Sequence, residues 1–216
     1  MADRLLDLLP LKGAIITGDA LYANRSLCQK IVSRGGDYVM VVKGNQPQLH
    51  QDLQLLYRHL PAGEVLDHAS SHDKHGGRVE MRQIWSSTAL EGYLDWPQAR
   101  QVGLIHRRVE HKGVPREQWV FIVTSLPPTR ANAKRILEIN RRHWRIENSL
   151  HWVRDVVMGE DACRVRSGSA PQVLAATRNT VIGLLHRAGA KSIASAQRRL
   201  AWNPQLALKL IGALPD

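Results

Sequence analysis

Gly13-Ala14-Ile15-Ile16-Thr17-Gly18-Asp19 is a short apolar run that ends on a carboxylate. Its length and its β-branched residues predict a buried strand. Residues 24–34 follow as a helix, with Leu27, Ile31 and Val32 turned inward and Gly35-Gly36 as the stop. Asp37-Tyr38-Val39-Met40-Val41-Val42-Lys43 predicts a second buried strand, broken by Gly44. Asn45 and Gln48 then fit a capping box, with Pro47 tolerated in the first turn of a helix that reaches about Leu60. Upstream, residues 2–11 read as the end of a helix with Leu5, Leu6, Leu8 and Leu9 apolar, closed by Pro10 and Gly13. The succession of strand, helix, strand, helix implies a parallel sheet covered by helices, an α/β class.

Further along, the pattern changes. Residues 64–125 carry alternating runs, such as Val79-Glu80-Met81-Arg82-Gln83-Ile84-Trp85 and Trp119-Val120-Phe121-Ile122-Val123, between the breakers Gly76-Gly77, Pro97, Gly113 and Pro115. This predicts antiparallel strands. Pro127-Pro128 marks a boundary, and helices are expected at about 130–156, 171–188, 192–200 and 204–214.

Composition narrows the function. The 216 residues contain 30 Lys and Arg against 19 Asp and Glu, a formal charge of +11. The excess is uneven: residues 162–215 hold Arg164, Arg166, Arg178, Arg187, Lys191, Arg198, Arg199 and Lys209 and no acid. A one-signed surface of this kind attracts polyanions, nucleic acid being the usual one. No stretch approaches the roughly 20 apolar residues of a membrane span, and the expectation is a cytoplasmic protein. Cys28 and Cys163 do not make a disulfide framework, and Cys163 is expected as a small buried residue.

Two acids stand out. Asp19 closes a predicted parallel strand, where loops and ligands gather, although its position by itself reads first as a turn or helix-entry residue. Glu147 lies on a predicted helix over 136–157. At 3.6 residues per turn, Ile139, Ile146, Leu150, Val153 and Val157 form one apolar stripe with Glu147 beside it. Asn140, His143, His151 and Arg154 fall within about 40° of Glu147 around the axis, while Arg142, Arg145 and Trp152 take the outer side. Helix-spacing ion pairs would explain the same carboxylate without a site.

The segment from Asn140 to Gly168 contains His143-Trp144-Arg145-Ile146-Glu147-Asn148-Ser149-Leu150-His151-Trp152, then Asp155-Val156, Glu160-Asp161 and Cys163-Arg164-Val165-Arg166. It resembles the signature of DDE transposases of bacterial insertion sequences, in the group that includes the H-repeat-associated proteins. The runs Ile15 to Leu21 and Gly35 to Pro47 match in order, and His75-Gly76-Gly77-Arg78-Val79-Glu80-Met81-Arg82 resembles the family's His-Gly-Arg-x-Glu-x-Arg with one glycine extra.

The resemblance implies a truncated ribonuclease-H-like core over 1–61, a β-rich insertion over 62–127 and a helical C-terminal part over 128–216. It places Asp19 on the second catalytic aspartate and Glu147 on the catalytic glutamate, both as ligands of Mg²⁺, with Mn²⁺ as a substitute. Such ions take oxygen ligands and act in pairs in phosphodiester cleavage. The broader Tyr-x2-Arg-x3-Glu-x6-Lys signature is met by Asn140, His143, Glu147 and Arg154, so two of its positions depart in type. Lys43, Arg142, His143, Arg145, His151, Arg154, Arg164 and Arg166 are the expected DNA contacts. Lys43 is read equally as a neighbour of a capping segment. The family's first aspartate, in an Asp-Gly-Lys strand, has no counterpart before Asp19. The expectation is a truncated transposase that keeps DNA affinity but is inactive alone, its open sheet covered by dimerising or by a separate N-terminal fragment; the alternatives are a split nuclease completed in trans and a non-catalytic nucleic-acid-binding remnant. His68, His72 and His75 are expected in a loop before a strand, without zinc-type spacing. Trp144 is expected in the core, and Trp152 is a candidate for base stacking.

Overall fold

The computed structural model describes residues 2–75, 77–111, 113–143 and 150–213. The sheet begins from Asp37–Val42, in which nearly every side chain is buried. Tyr38, Met40 and Val42 face one way and Val39 the other, and each set meets a separate apolar cluster. A strand buried on both faces reads as a continuous apolar run, which is how the sequence betrays it. We label this strand β2. Its parallel neighbour β1, Ile15–Gly18, pairs Ile15 with Asp37 and Gly18 with Met40. β1 lies at the sheet edge, and Ile15, Ile16 and Thr17 are therefore only half-buried, less than their apolar run led us to expect.

Four long antiparallel strands complete the sheet: β3 (Asp67–His75), β4 (Arg78–Ser87), β5 (Gln101–His111) and β6 (Val114–Thr124). The order is β1-β2-β6-β5-β4-β3. The segment 62–127 thus adds its strands to the sheet that contains β1 and β2. β6 meets β2 only through Phe121 to Thr124. Its remaining residues, with their partners on β5, β4 and β3, run past the C-terminal end of β2 as an extension of roughly 20 Å. β3 corrects the sequence reading: His68 and His72 lie on a strand, not in a loop, and His68 tilts over Trp85 with ring centroids 5.2 Å apart. Its residues, Asp-His-Ala-Ser-Ser-His-Asp-Lys-His, have no apolar alternation, because β3 is the other edge of the sheet.

Helices cover both faces. α1 (Ala2–Asp7), α2 (Arg25–Ser33) and α3 (Pro47–Arg58) accompany the first two strands. Asn24 caps α2 by accepting from Leu27 N at 2.9 Å. Leu27, Ile31, Leu49 and Leu53 pack with Tyr38, Met40, Val102 and Val123. Cys28 is inside this cluster, and burial pushes its thiol up to about 12, so it stays protonated. On the opposite face α4 (Ala133–His143) lays Ile136, Leu137 and Ile139 against Val39, Ile84, Ile105 and Ile122. A polar clamp fixes the start of β2: Ser125 Oγ donates to Asp37 at 3.0 Å and Arg130 to the same carboxylate at 2.6 Å.

The chain divides into two compact units, 1–143 and 144–216. The second has its own small core, in which Val153, Ile182, Leu185 and Ile193 are buried and Leu150 and Val157 pack beside them. It contains α5 (Ala170–Arg187), α6 (Ile193–Trp202) and α7 (Pro204–Leu210). The expected single stripe from Ile139 to Val157 is therefore split between two cores. Val153–Val157 is also a π-helical turn, which breaks the 3.6-residue period assumed for it. Cys163 is half-buried, and the Val165 backbone amide and Arg178 lower its pKa. Among the described residues no helix is long and apolar enough to cross a membrane.

Gly103 on β5 sits under Ile122, and a Cβ there would lie 2.7 Å from Ile122 Cγ1. Ile122 is fully buried, so it has no space to yield. We expect Gly103→Ala to cost about 1–3 kcal/mol by overpacking. Gly44→Ala, where no atom lies within 4 Å, should stay within about 0.5 kcal/mol. Urea unfolding midpoints at unchanged m-value check both.

Candidate active site

Asp19 follows β1 directly and is exposed at the strand's C-terminal end. Its Oδ1 accepts from Leu21 N at 2.6 Å and so caps the short 3-10 turn Ala20–Tyr22. The turn-residue role is thus real. It occupies one carboxylate oxygen and fixes the side chain's direction, while a carboxylate has a second oxygen with which to accept. Because β1 and β2 are parallel, Lys43 emerges beside Asp19 at the same end of the sheet, also exposed.

The loop after β2 is tied to the loop after β1. Asn45 Nδ2 donates to Ala20 O at 2.6 Å, and Gln46 Nε2 to Ala23 O at 2.8 Å. The expected capping box is absent. The residue before α3 is Gln46, which makes no side-chain cap bond, and Gln48 donates to Asp52 instead. Pro47 at the helix start has no N–H to satisfy, which leaves Asn45 to fasten the two loops. This role had no sequence signal, since an Asn three residues before a Gln reads first as a cap.

α4 brings the third group. His143 Nδ1 and Thr17 Oγ1 share a hydrogen bond of 3.0 Å. Thr17 and Asp19 lie two residues apart along the strand that ends here. Two residues before His143, Arg141 forms an ion pair with Asp73 on β3 at 2.7 Å. β1 and β3 are the opposite edges of the sheet, yet both reach the last turn of α4. The sheet therefore curls around that helix end, with His143 meeting the strand that ends on Asp19 and Arg141 meeting the extension. Arg142, between these two anchors, is exposed.

Glu147 and Arg145, as well as Trp144, lie outside the described residues. His151, Arg154, Arg164 and Arg166 belong to the second unit. His151, Arg164 and Arg166 are exposed there. Arg154 is committed to Glu160 through two bonds of 2.6 Å. That bidentate pair holds the Glu160 carboxyl below its ordinary range. Among the described residues no group of three or more His, Cys, Asp or Glu converges to hold a metal ion. Asp19 by itself is a hard oxygen donor at an accessible strand end, which suits Mg²⁺, an ion that keeps several waters and needs few protein ligands.

Thr17→Val keeps the shape and strand preference of residue 17 but removes its bond to His143. We expect a loss of about 0.5–1.5 kcal/mol in chemical unfolding, whereas Asp52→Asn, half-buried on α3 and keeping an oxygen for Gln48, should change stability by less than about 0.5 kcal/mol.

The transposase DDE domain family matches residues 1–184 of this chain. The protein named "H repeat-associated putative transposase YhhI", from Escherichia coli strain K12, is 32% identical over 191 residues, which cover 84% of this chain and 50% of that protein. YbfL of the same strain shows the same identity and coverage. YncI of Escherichia coli O157:H7 is 31% identical over 186 residues, covering 84% of this chain and 48% of that one. The chain spans about half the length of the curated relatives it matches. With a domain match over most of its residues, this chain belongs to the DDE transposase family, in the group of the H-repeat-associated proteins.

Proposed function

We propose that this chain is the part of a DDE transposase that supplies the second aspartate, Asp19, and the glutamate, Glu147, for metal-dependent cleavage and joining of DNA. The observation that carries the reading is the Thr17–His143 bond. It anchors the residue four positions before Glu147 to the strand that ends on Asp19. In this reading residues 1–61 are the second half of a ribonuclease-H-like core, 62–127 an insertion and 128–216 the helical part with the glutamate.

Mg²⁺ held by these carboxylates would polarise the scissile phosphodiester and lower the pKa of the attacking hydroxyl. The chain's own residues have distinct tasks. The bond from Leu21 N sets the direction of the Asp19 carboxylate. His143, pinned by Thr17, is in position to hydrogen-bond a phosphate oxygen. Lys43, Arg142, Arg145, His151, Arg164 and Arg166 supply positive charge for the DNA backbone, which carries most of the affinity and makes it salt-dependent. Arg154 serves differently from a free phosphate contact, because Glu160 already occupies its guanidinium.

The first family aspartate has no counterpart in the residues before Asp19. Two carboxylates hold one hard ion well and a second poorly. The chain alone is therefore inactive in this reading. The outer edge of β1 carries no strand among the described residues, so it is open to a further strand such as the one that bears the family's first aspartate. A non-catalytic DNA-binding remnant is the alternative, favoured by the acid-free stretch 162–215.

The purified chain should bind duplex DNA weakly and with steep salt dependence. With Mg²⁺ or Mn²⁺ it should neither nick nor join DNA. A family fragment carrying the Asp-Gly-Lys strand should restore activity, and Asp19→Ala or Glu147→Ala should abolish the restored activity. Activity of the chain alone that both substitutions remove would mean that another residue serves as the first aspartate. Failure of the fragment to restore any activity would favour the remnant reading.

A further inference from the structure

The transposase domain match ends at residue 184, inside α5. α6 and α7 lie beyond it, and the carboxylate chemistry gives them no task. The link from α5 to α6 is short. Gly189 turns it with a φ of 77°, and Ser192 caps α6 by accepting from Ser195 N at 3.3 Å.

α6 has two unlike faces. Ile193 is buried, and Ala196 and Leu200 pack beside it with Val153, Ile182 and Leu185. At about 100° per residue, Trp202 lies roughly opposite this side, and Ser195, Arg198 and Arg199 fall within about 60° of Trp202. All four are exposed, Trp202 to 90%. A lone exposed indole is ordinary; this one stands in a stripe of cations. α5, α6 and α7 contain no Asp or Glu, so no acid of these helices faces the stripe. Arg199 also shares a cleft of about 300 Å³ with Lys191, Ser192 and Ser195. Two cations and two hydroxyls are the usual protein partners of a backbone phosphate.

Shape selects among polyanions. A single strand is bound in a groove that tracks its backbone, and a membrane surface is met by a broad apolar face. This stripe lies on the convex side of one helix and has Trp202 as its apolar member. Duplex DNA offers the complement, a major groove about 12 Å wide that admits an α-helix. The ten residues of α6 span about 15 Å, enough to lie across several base pairs. A guanidinium suits guanine edges there, and an apolar side chain suits the thymine methyl.

We infer that the outward face of α6 enters the major groove of duplex DNA, with Arg198 and Trp202 against base edges and Lys191 and Arg199 on a backbone phosphate. This rests on the DNA-acting reading above and adds a surface outside the matched domain. The full chain is compared with Arg199→Gln, Trp202→Ala and Arg135→Gln. Arg135 lies on α4 and pairs with Glu138, so its loss removes one charge far along the chain from α6. Two probes are used: a plain duplex, and the same duplex with glucosylated hydroxymethylcytosine, whose sugars fill the major groove.

Arg199→Gln should lower the slope of log affinity against log salt by about 1. Trp202→Ala should weaken binding about tenfold at unchanged slope. The groove-filled duplex should weaken the parent by a similar factor, and Arg135→Gln should match the parent throughout. Parent-like binding by both α6 variants would overturn the surface, as would equal affinity of the parent for the two duplexes. Vesicles of anionic phospholipid that the parent binds and Trp202→Ala does not, with DNA binding unchanged, would give the face to a membrane and overturn it too. The transposase reading is judged separately, by Asp19-dependent cleavage restored with the Asp-Gly-Lys fragment. Restored cleavage without the α6 effects would overturn the surface alone. The α6 effects without restored cleavage would overturn the transposase reading and uphold the surface.

Discussion

The burial of α4 against the concave face of the sheet is the constraint on which the rest of the first unit depends. Ile136, Leu137 and Ile139 are almost fully buried against Val39, Ile84, Ile105 and Ile122, and each such side chain contributes about 1.5–3 kcal/mol. The contact surface spans β2, β6, β5 and β4, so one helix fixes the middle of the sheet. Its ends then fasten the margins. Ala133 N donates to Asp67 on β3 at 2.6 Å, Arg141 meets Asp73, and His143 meets Thr17 on β1. The polar anchors add little stability individually. Their effect is geometric, since they bring both edges of a six-stranded sheet to one helix end.

That geometry ties two chemically unlike groups to the last turn of one helix. Asp19 is held by a short capping bond at the end of a parallel strand, the usual location for a functional loop in an open α/β sheet. An arginine cluster around Glu80, formed by Arg78, Arg82 and Arg107, arises on antiparallel strands that outrun β2. Nothing in the local structure of either predicts the other. The curl of the sheet around α4 anchors both edges to its last turn. The sheet edges manage exposure in different ways: β3 is polar throughout, as an exposed edge should be, whereas β1 is short, apolar and half-buried.

Much of the fold was legible because its signals are local. β2 is buried on both faces and reads as an unbroken apolar run. α2 carries its cap, Asn24, and its stop, Gly35, in the sequence. The candidate site was legible only in the position of Asp19, whose place at a strand end follows from the run before it. The polar strand β3 was invisible, since edge strands need no apolar alternation and its histidines resemble a loop. The split of the stripe from Ile139 to Val157 was equally hidden, because periodicity records which residues are apolar and not which core receives them.

The sequence by itself determined the strand–helix order, the positive charge, the carboxylate at the end of β1 and the family to which these belong, because each is written in neighbouring residues or in a contiguous motif. Only the tertiary structure decided that residues 64–125 extend the same sheet, that Asn45 binds a loop instead of capping a helix, and that Arg141, Glu80 and Asp73 gather around Arg82. Those outcomes depend on contacts between residues far apart in the chain. Such contacts are set by how the sheet curls and which helix face it buries, and these leave no periodic trace in any one segment.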